Sequence, residues 1–261
     1  MGTATLLQPQ DVVTLENPDA AGPFLIVCEH ASNAFPAAFG SLGLTEAQQS
    51  AHIAWDPGAL GLARGLAARL DAPLVAARVS RLIYDLNRPP HSLGAMPARS
   101  ETHDIPGNAG LTAEDRLART EAVYLPFHAA LRALIAQRLA LGHPPVIVTV
   151  HSFTPLWHGT PRAVEFGVIH DADPSLALAT VAAARSTGLR TELNQPYSAA
   201  DEVTHTLRLQ ASPFGLANVM LEIRNDLIAS PAAQEAMADT LAPVLRAALH
   251  QTETDQAGTA A

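Results

Sequence analysis

The sequence predicts an α/β protein, a three-layer α/β/α mixed sheet with helices on both faces, and three observations carry that expectation. Short β-branched apolar runs alternate with longer stretches of 3.6-residue periodicity. Three of those runs stop abruptly on a chemically competent side chain. Finally, 48% of the 261 residues are apolar, enough for a sizeable core.

In order along the chain, residues 1–22 are polar and punctuated by Pro and Gly, which predicts an N-terminal arm. Residues 24–28 predict the first buried strand, ending in Glu29 and His30. Thr45 caps a short expected helix. Asp56-Pro57-Gly58 opens another that runs to about Leu70, with Leu60, Ala63, Leu66, Ala67 and Leu70 on one stripe. A second strand spans 73–79, and 81–88 leaves it as an extended segment. Residues 89–110 carry little periodicity, and a loop of this length is usually functional or disordered; it is long enough to be a lid. A long helix is expected from 112 to about 141, interrupted near Pro126. Strands follow at 145–151, 164–169, 190–193 and from Ala217, with helices over 174–187 and 231–250. The tail, 251–261, reads as disordered. The expected organisation is therefore an arm (1–22), one catalytic α/β domain (23–250) and a tail.

Composition removes several function classes. A net charge of −9 argues against a nucleic-acid partner held through its phosphates. The sequence shows no basic run, export signal or membrane span, so a cytoplasmic protein that binds no membrane is expected. The single Cys28 rules out an intrachain disulfide and reads as a small buried hydrophobe.

Strand ends in an open α/β sheet face the ligand edge, which makes His30, His151 and Glu222 candidates for chemistry. Two imidazoles with a nearby carboxylate are what a catalytic zinc centre needs, three protein ligands and one open position. Asp56, Glu29 and, more weakly, Asn33 compete for the third place. Asp56 reads equally well as a helix cap before Pro57. Glu29 points to the face opposite His30 if the strand stays extended. Glu222 fits a general base or an ion pair with Arg224. Arg78, Arg81, Arg88 and Arg224 adjoin strands and could clamp a small anion, or pair with Asp85 and Asp226. Asp85-Leu86-Asn87-Arg88 also fits an internal polar network, and His205 a substrate contact or a surface histidine. No Gly-x-Ser-x-Gly, Gly-x-Gly-x-x-Gly or P-loop is present.

Taken as an ordered set, several motifs resemble the N-formylglutamate amidohydrolase (deformylase) family. They are Cys28-Glu29-His30-Ala31-Ser32-Asn33, the stretch from His52 through Trp55-Asp56-Pro57-Gly58, Ser80-Arg81 through Tyr84-Asp85-Leu86-Asn87-Arg88, and Ile105-Pro106-Gly107-Asn108. Pro126-Phe127-His128, Val150-His151-Ser152-Phe153, Asn194-Gln195-Pro196-Tyr197-Ser198 and Glu222-Ile223-Arg224-Asn225-Asp226 complete the set. The resemblance implies a phosphorylase/hydrolase-like fold laid out as in zinc carboxypeptidases. It also implies one Zn2+ per chain on His30, Asp56 and His151, Glu222 as catalytic base, and Arg81, Asn87, Arg88, His205 and Arg224 around the substrate. The carboxypeptidase His-x-x-Glu is absent, since this chain has His30-Ala31-Ser32-Asn33, so the acidic ligand is inferred from elsewhere. The implied reaction releases formate and L-glutamate from N-formyl-L-glutamate, a step of histidine degradation. Its rivals are an amidase for another N-acyl amino acid or a peptidoglycan-like amide, and a non-catalytic small-anion binding domain.

Overall fold

The computed structural model describes residues 7–259. Its helices are α1 (Pro9–Val12), α2 (Glu46–Ser50), α3 (Ala59–Leu70), α4 (Ala113–Arg119), α5 (Leu125–Ala140), α6 (Ser175–Ala184), α7 (His205–Gln210) and α8 (Pro231–Thr259). The strands are β1 (Val13–Glu16), β2 (Phe24–Cys28), β3 (Leu74–Ala77), β4 (Arg99–Ser100), β5 (His103–Asp104), β6 (Val146–Phe153), β7 (Leu156–Trp157), β8 (Thr160–Pro161), β9 (Phe166–Ile169), β10 (Thr191–Leu193) and β11 (Asn218–Arg224). Two small hairpins, β4–β5 and β7–β8, stand apart from a seven-stranded mixed sheet of order β1-β3-β2-β6-β11-β9-β10.

Strands β3, β2, β6 and β11 run parallel, and the sheet turns antiparallel at β1–β3 and β11–β9. All five side chains of β2 and all eight of β6 are buried, as expected of strands covered on both faces. Phe24, Ile26, Cys28, Val148, Val150 and Leu221 pack under α3, α6 and α8. The alternate residues Leu25, Val27, Val75, Ile147 and Met220 share a second cluster with α5, Leu207 of α7 and the segment carrying Leu82, Ile83 and Tyr84. The three-layer fold expected from the sequence is the one observed.

Both ends differ from their expectation. Residues 13–16, expected within an arm, form edge strand β1, registered antiparallel on β3 from Val13↔Ala77 to Glu16↔Leu74. The apolar pair Val12-Val13 is buried, and that burial anchors the strand. Residues 251–259, expected to be disordered, continue α8 instead. Adding a residue to a docked helix gains a hydrogen bond without a new nucleus, and Thr252 is buried. Around Pro126 the expected break is a wide π-turn over Thr120–Tyr124. It relieves the clash and the missing N–H that proline brings to a helix interior, so α4 runs through the π-turn into α5 without a loop. No helix among the described residues is long and apolar enough to cross a membrane.

The turn into α3 fixes the start of the site. Gly58 sits at φ +83°, and a Cβ there would lie 2.4 Å from the Ile228 carbonyl oxygen. Left-handed backbone and close approach both require glycine. Gly58→Ala is therefore expected to lower unfolding stability by about 2 kcal/mol or more, read as a shift of the urea midpoint. An unchanged midpoint contradicts this account of the turn.

Candidate active site

Three adjacent parallel strands, β2, β6 and β11, end on one edge of the sheet, and each delivers one polar side chain there. His30 follows β2. His151 and Glu222 are register partners on β6 and β11, so both point to the same face. The backbone N–H of Asp56 donates to the His30 carbonyl at 2.9 Å, which brings the mouth of α3 against this edge. Asp56 does not cap the helix: Gly58 occupies the cap, and no side chain bonds there. Its carboxylate is turned into the cavity instead.

The resulting cluster is tight. Asp56 Oδ2 lies 3.3 Å from His30 Nδ1 and 3.0 Å from His151 Nδ1, and the two nitrogens are 3.2 Å apart. The Ser152 N–H donates to the same carboxylate oxygen at 3.2 Å. Arg81 bridges the back of the site, its Nη1 donating to Asp56 Oδ1 at 3.2 Å and its Nη2 to Asp85 Oδ2 at 2.7 Å. His30 donates through Nε2 to Asp85 Oδ1 at 2.7 Å, which leaves the Nδ1 lone pair of a neutral ring aimed at the cluster. His151 Nε2 lies 3.1 Å from Glu29 Oε2, without the alignment of a hydrogen bond. Glu29 and Asp85, read from sequence as a poor ligand and a bracing group, are thus the carboxylates behind the two imidazoles.

The donor set fits a divalent cation. Ligand atoms about 2.0–2.1 Å from a tetrahedral cation lie roughly 3.3 Å from one another, and the three observed separations match. The charges fit as well: Glu29, Asp56, Asp85 and Glu222 are all buried, and Arg81 is the guanidinium that bonds into the cluster. The protein alone answers this excess by holding protons. Against the opposing push of burial, Asp85 and Asp56 raise the His30 imidazole, and Glu29 and Asp56 raise His151 well above the ordinary range. His30, His151 and Arg81 in turn hold Asp56 far below a normal carboxylate, although burial resists it.

Glu222 behaves differently. Burial, joined by the charge of Asp56, pushes its carboxyl from the ordinary 4.5 up to about 7, and His151, His30 and Arg81 only partly offset this. Its Oε2 is buried without a hydrogen-bond partner among the described residues. The ion pair with Arg224 considered from sequence does not form. Arg224 is held by Asp226 at 2.8 Å and Glu165 at 3.5 Å and is not among the residues lining the cavity.

The cavity over the cluster measures about 480 Å³ and takes one wall from Gly94, Pro97, Arg99, Ser100 and Glu101 of the long loop. Arg81, Asn87 and Arg88 line it. Asn87 ties the 85–88 segment to the 203–206 backbone, donating to the Val203 carbonyl and accepting from the Thr206 N–H. Arg88 donates to the Asp201 carbonyl, and its nearest carboxylate, Glu202, is 3.8 Å away. His205 falls outside: it bonds to the Tyr124 hydroxyl at 2.8 Å and lines a separate cavity beside His91 and Arg208. Burial lowers it to about 4, a neutral packing histidine. Asn33 donates through Nδ2 to the Gln49 carbonyl and is not among the residues lining the cavity.

The raised Glu222 carboxyl has a consequence for stability. An acid whose pKa is higher folded than unfolded favours folding less as pH rises, here between about 4.5 and about 7. In metal-free protein, Glu222→Gln is expected to raise Tm by several degrees at pH 8, on the order of 2–3 kcal/mol. The gain should vanish toward pH 4, where the carboxyl is neutral in both states. A gain that is equal at both pH values contradicts the assignment.

A family profile for N-formylglutamate amidohydrolase matches residues 22–229. A gene product of Agrobacterium tumefaciens, known from its crystal structure, is 50% identical, with a TM-score of 0.92 over 95% of this chain and 99% of that one. The crystal structure of N-formylglutamate amidohydrolase from Ralstonia eutropha shares the fold at 19% identity, with a TM-score of 0.66 and the same coverage, 95% and 99%. No curated protein matches the chain. With the profile spanning most of its length, the chain belongs to the N-formylglutamate amidohydrolase family.

Proposed function

We propose that the cavity is the active site of a zinc-dependent amidohydrolase that converts N-formyl-L-glutamate to formate and L-glutamate. The observation that carries this reading is the set of ligand atoms on His30, Asp56 and His151, all within 4.8 Å of one another and buried. These three residues would hold one zinc ion per chain. When bound, zinc supplies Lewis-acid polarisation of the amide carbonyl and makes water a stronger acid.

The protein's own groups do the rest. Glu222 stands beside His151 on the neighbouring strand, and a carboxylate raised toward neutrality is matched to proton transfer near pH 7. It takes the proton of the attacking water and hands it to the departing amine nitrogen. Asp85 and Glu29 fix the two imidazoles from behind, as outer carboxylates commonly do for metal-bound histidines. Arg81 keeps Asp56 and Asp85 ionised and in place. Arg88, which lines the cavity and whose carboxylate partner Glu202 is 3.8 Å away, would offer charge to an anionic substrate. The family places formylglutamate first among substrates, and a cavity of about 480 Å³ accommodates a molecule of that size.

Purified protein is expected to carry about one zinc per chain and to release formate from N-formyl-L-glutamate. Chelation should abolish the activity and added zinc should restore it. Glu222→Gln should keep the metal and lower kcat by roughly 10²–10⁴-fold. Metal retained without formate release redirects the substrate to another N-acyl amino acid, and intact turnover in Glu222→Gln removes the general-base role.

A further inference from the structure

The motif Asn194-Gln195-Pro196-Tyr197-Ser198 has no part in the chemistry described so far, yet it lies over the catalytic edge. Gly167 is the register partner of Glu222 on β9, and a Cβ on it would lie 2.0 Å from the Gln195 carbonyl oxygen. The missing side chain lets this loop settle directly on the sheet beside Glu222. Tyr197, two residues on, lines the cavity.

The phenol is held from behind by a cation. Arg162 Nη2 donates to the Tyr197 hydroxyl oxygen at 3.0 Å, and Nη1 donates to the Thr154 carbonyl at 3.3 Å. The guanidinium is framed by three rings: its carbon lies 4.7 Å from the Trp157 centroid, 5.1 Å from Tyr197 and 5.4 Å from Phe153. Such contacts favour a cation over an aromatic face. Among the described residues, Arg162 has no carboxylate partner within ion-pair distance, unlike Arg81 and Arg224. Its positive charge is therefore uncompensated next to the cavity wall.

A hydroxyl whose oxygen accepts from a guanidinium must send its own proton elsewhere. Among the described residues that proton meets no acceptor, so it is free to point into the cavity. Burial and the charge of Glu222 raise the phenol above its ordinary range, so it remains a donor at neutral pH.

We propose that Tyr197 is a specificity-determining residue that donates a hydrogen bond to one carboxylate of the substrate, with Arg162 as the positioning residue that orients the phenol and supplies the favourable charge. The assignment deepens the reading of the cavity as an N-acyl amino acid amidohydrolase site and rests on it for the identity of the substrate. Phe153 and Trp157 hold the guanidinium so that it serves the phenol.

The test compares wild type, Tyr197→Phe and Arg162→Gln on N-formyl-L-glutamate and its two monoamides, N-formyl-L-glutamine and N-formyl-L-isoglutamine. Wild type should prefer the diacid. Tyr197→Phe should raise KM for the diacid by about ten- to a hundred-fold, with kcat nearly unchanged, since a hydrogen bond to a charged group is lost. It should also lose discrimination against one monoamide only, which identifies the carboxylate that is read. Arg162→Gln should weaken the same discrimination, and the double variant should do little more than either single one. A fall in kcat at constant KM, or an equal loss on all three substrates, overturns the proposal.

A second arm does not depend on turnover. Trp157 stacks on Arg162, so in a Trp55→Phe background its fluorescence should report binding of glutarate and of glutaramate. Wild type should bind glutarate the more tightly, and Tyr197→Phe should erase the preference. An identical preference in both proteins overturns the assignment. Should wild type release no formate from any substrate, the reading of the cavity falls, and this arm still decides the role of Tyr197.

Discussion

Buried negative charge at one edge of the sheet is the constraint to which the rest of the structure answers. Glu29, Asp56, Asp85 and Glu222 are all buried within a small volume at the ends of β2, β6 and β11. Uncompensated buried charges cost several kcal/mol each. Arg81 binds two of the four carboxylates, and protons on His30 and His151 offset more. Such an arrangement persists in a protein when something else completes it. A divalent cation on His30, Asp56 and His151 would do so, replacing the protons that the imidazoles otherwise hold.

The fold supplies this geometry with few special devices. Parallel strands align their carboxyl ends, and the pairing of His151 with Glu222 follows from the β6–β11 register, which sets Ile147 and Met220 on that same face. Gly58 lets α3 begin close enough for Asp56 to reach both histidines, and Gly167 lets the Tyr197 loop lie on the sheet. Glu222 shows the cost of this burial most clearly, because the same burial that raises its carboxyl leaves an oxygen without a partner among the described residues.

Much of this was legible in the sequence, because strand runs and their terminal residues are local signals. The run over 24–28 matched β2, and His30, Asp56, His151 and Glu222 met as their positions at strand ends and a helix mouth implied. What escaped were contacts between distant segments. β2 ends at Cys28, so Glu29 lies in the turn beyond it, where it reaches His151 of another strand. Arg224 sits at a strand end like the other candidates, but Asp226 and, from beside β9, Glu165 hold it. His205 was drawn off by Tyr124 of the π-turn, and residues 13–16 became a strand because β3 offered an open edge. The Arg162 cage joins Phe153 and Trp157 to Tyr197 from a second stretch, so no periodicity could announce it.

The measurement closest to the central claim is anomalous diffraction at the zinc edge from crystals of the protein grown with zinc. The account predicts one strong peak bounded by His30 Nδ1, Asp56 Oδ2 and His151 Nδ1, with Glu222 beside it and not among the ligands. A saturated crystal with no peak there, or a peak held by other side chains, contradicts the claim that the buried charge exists to hold a metal.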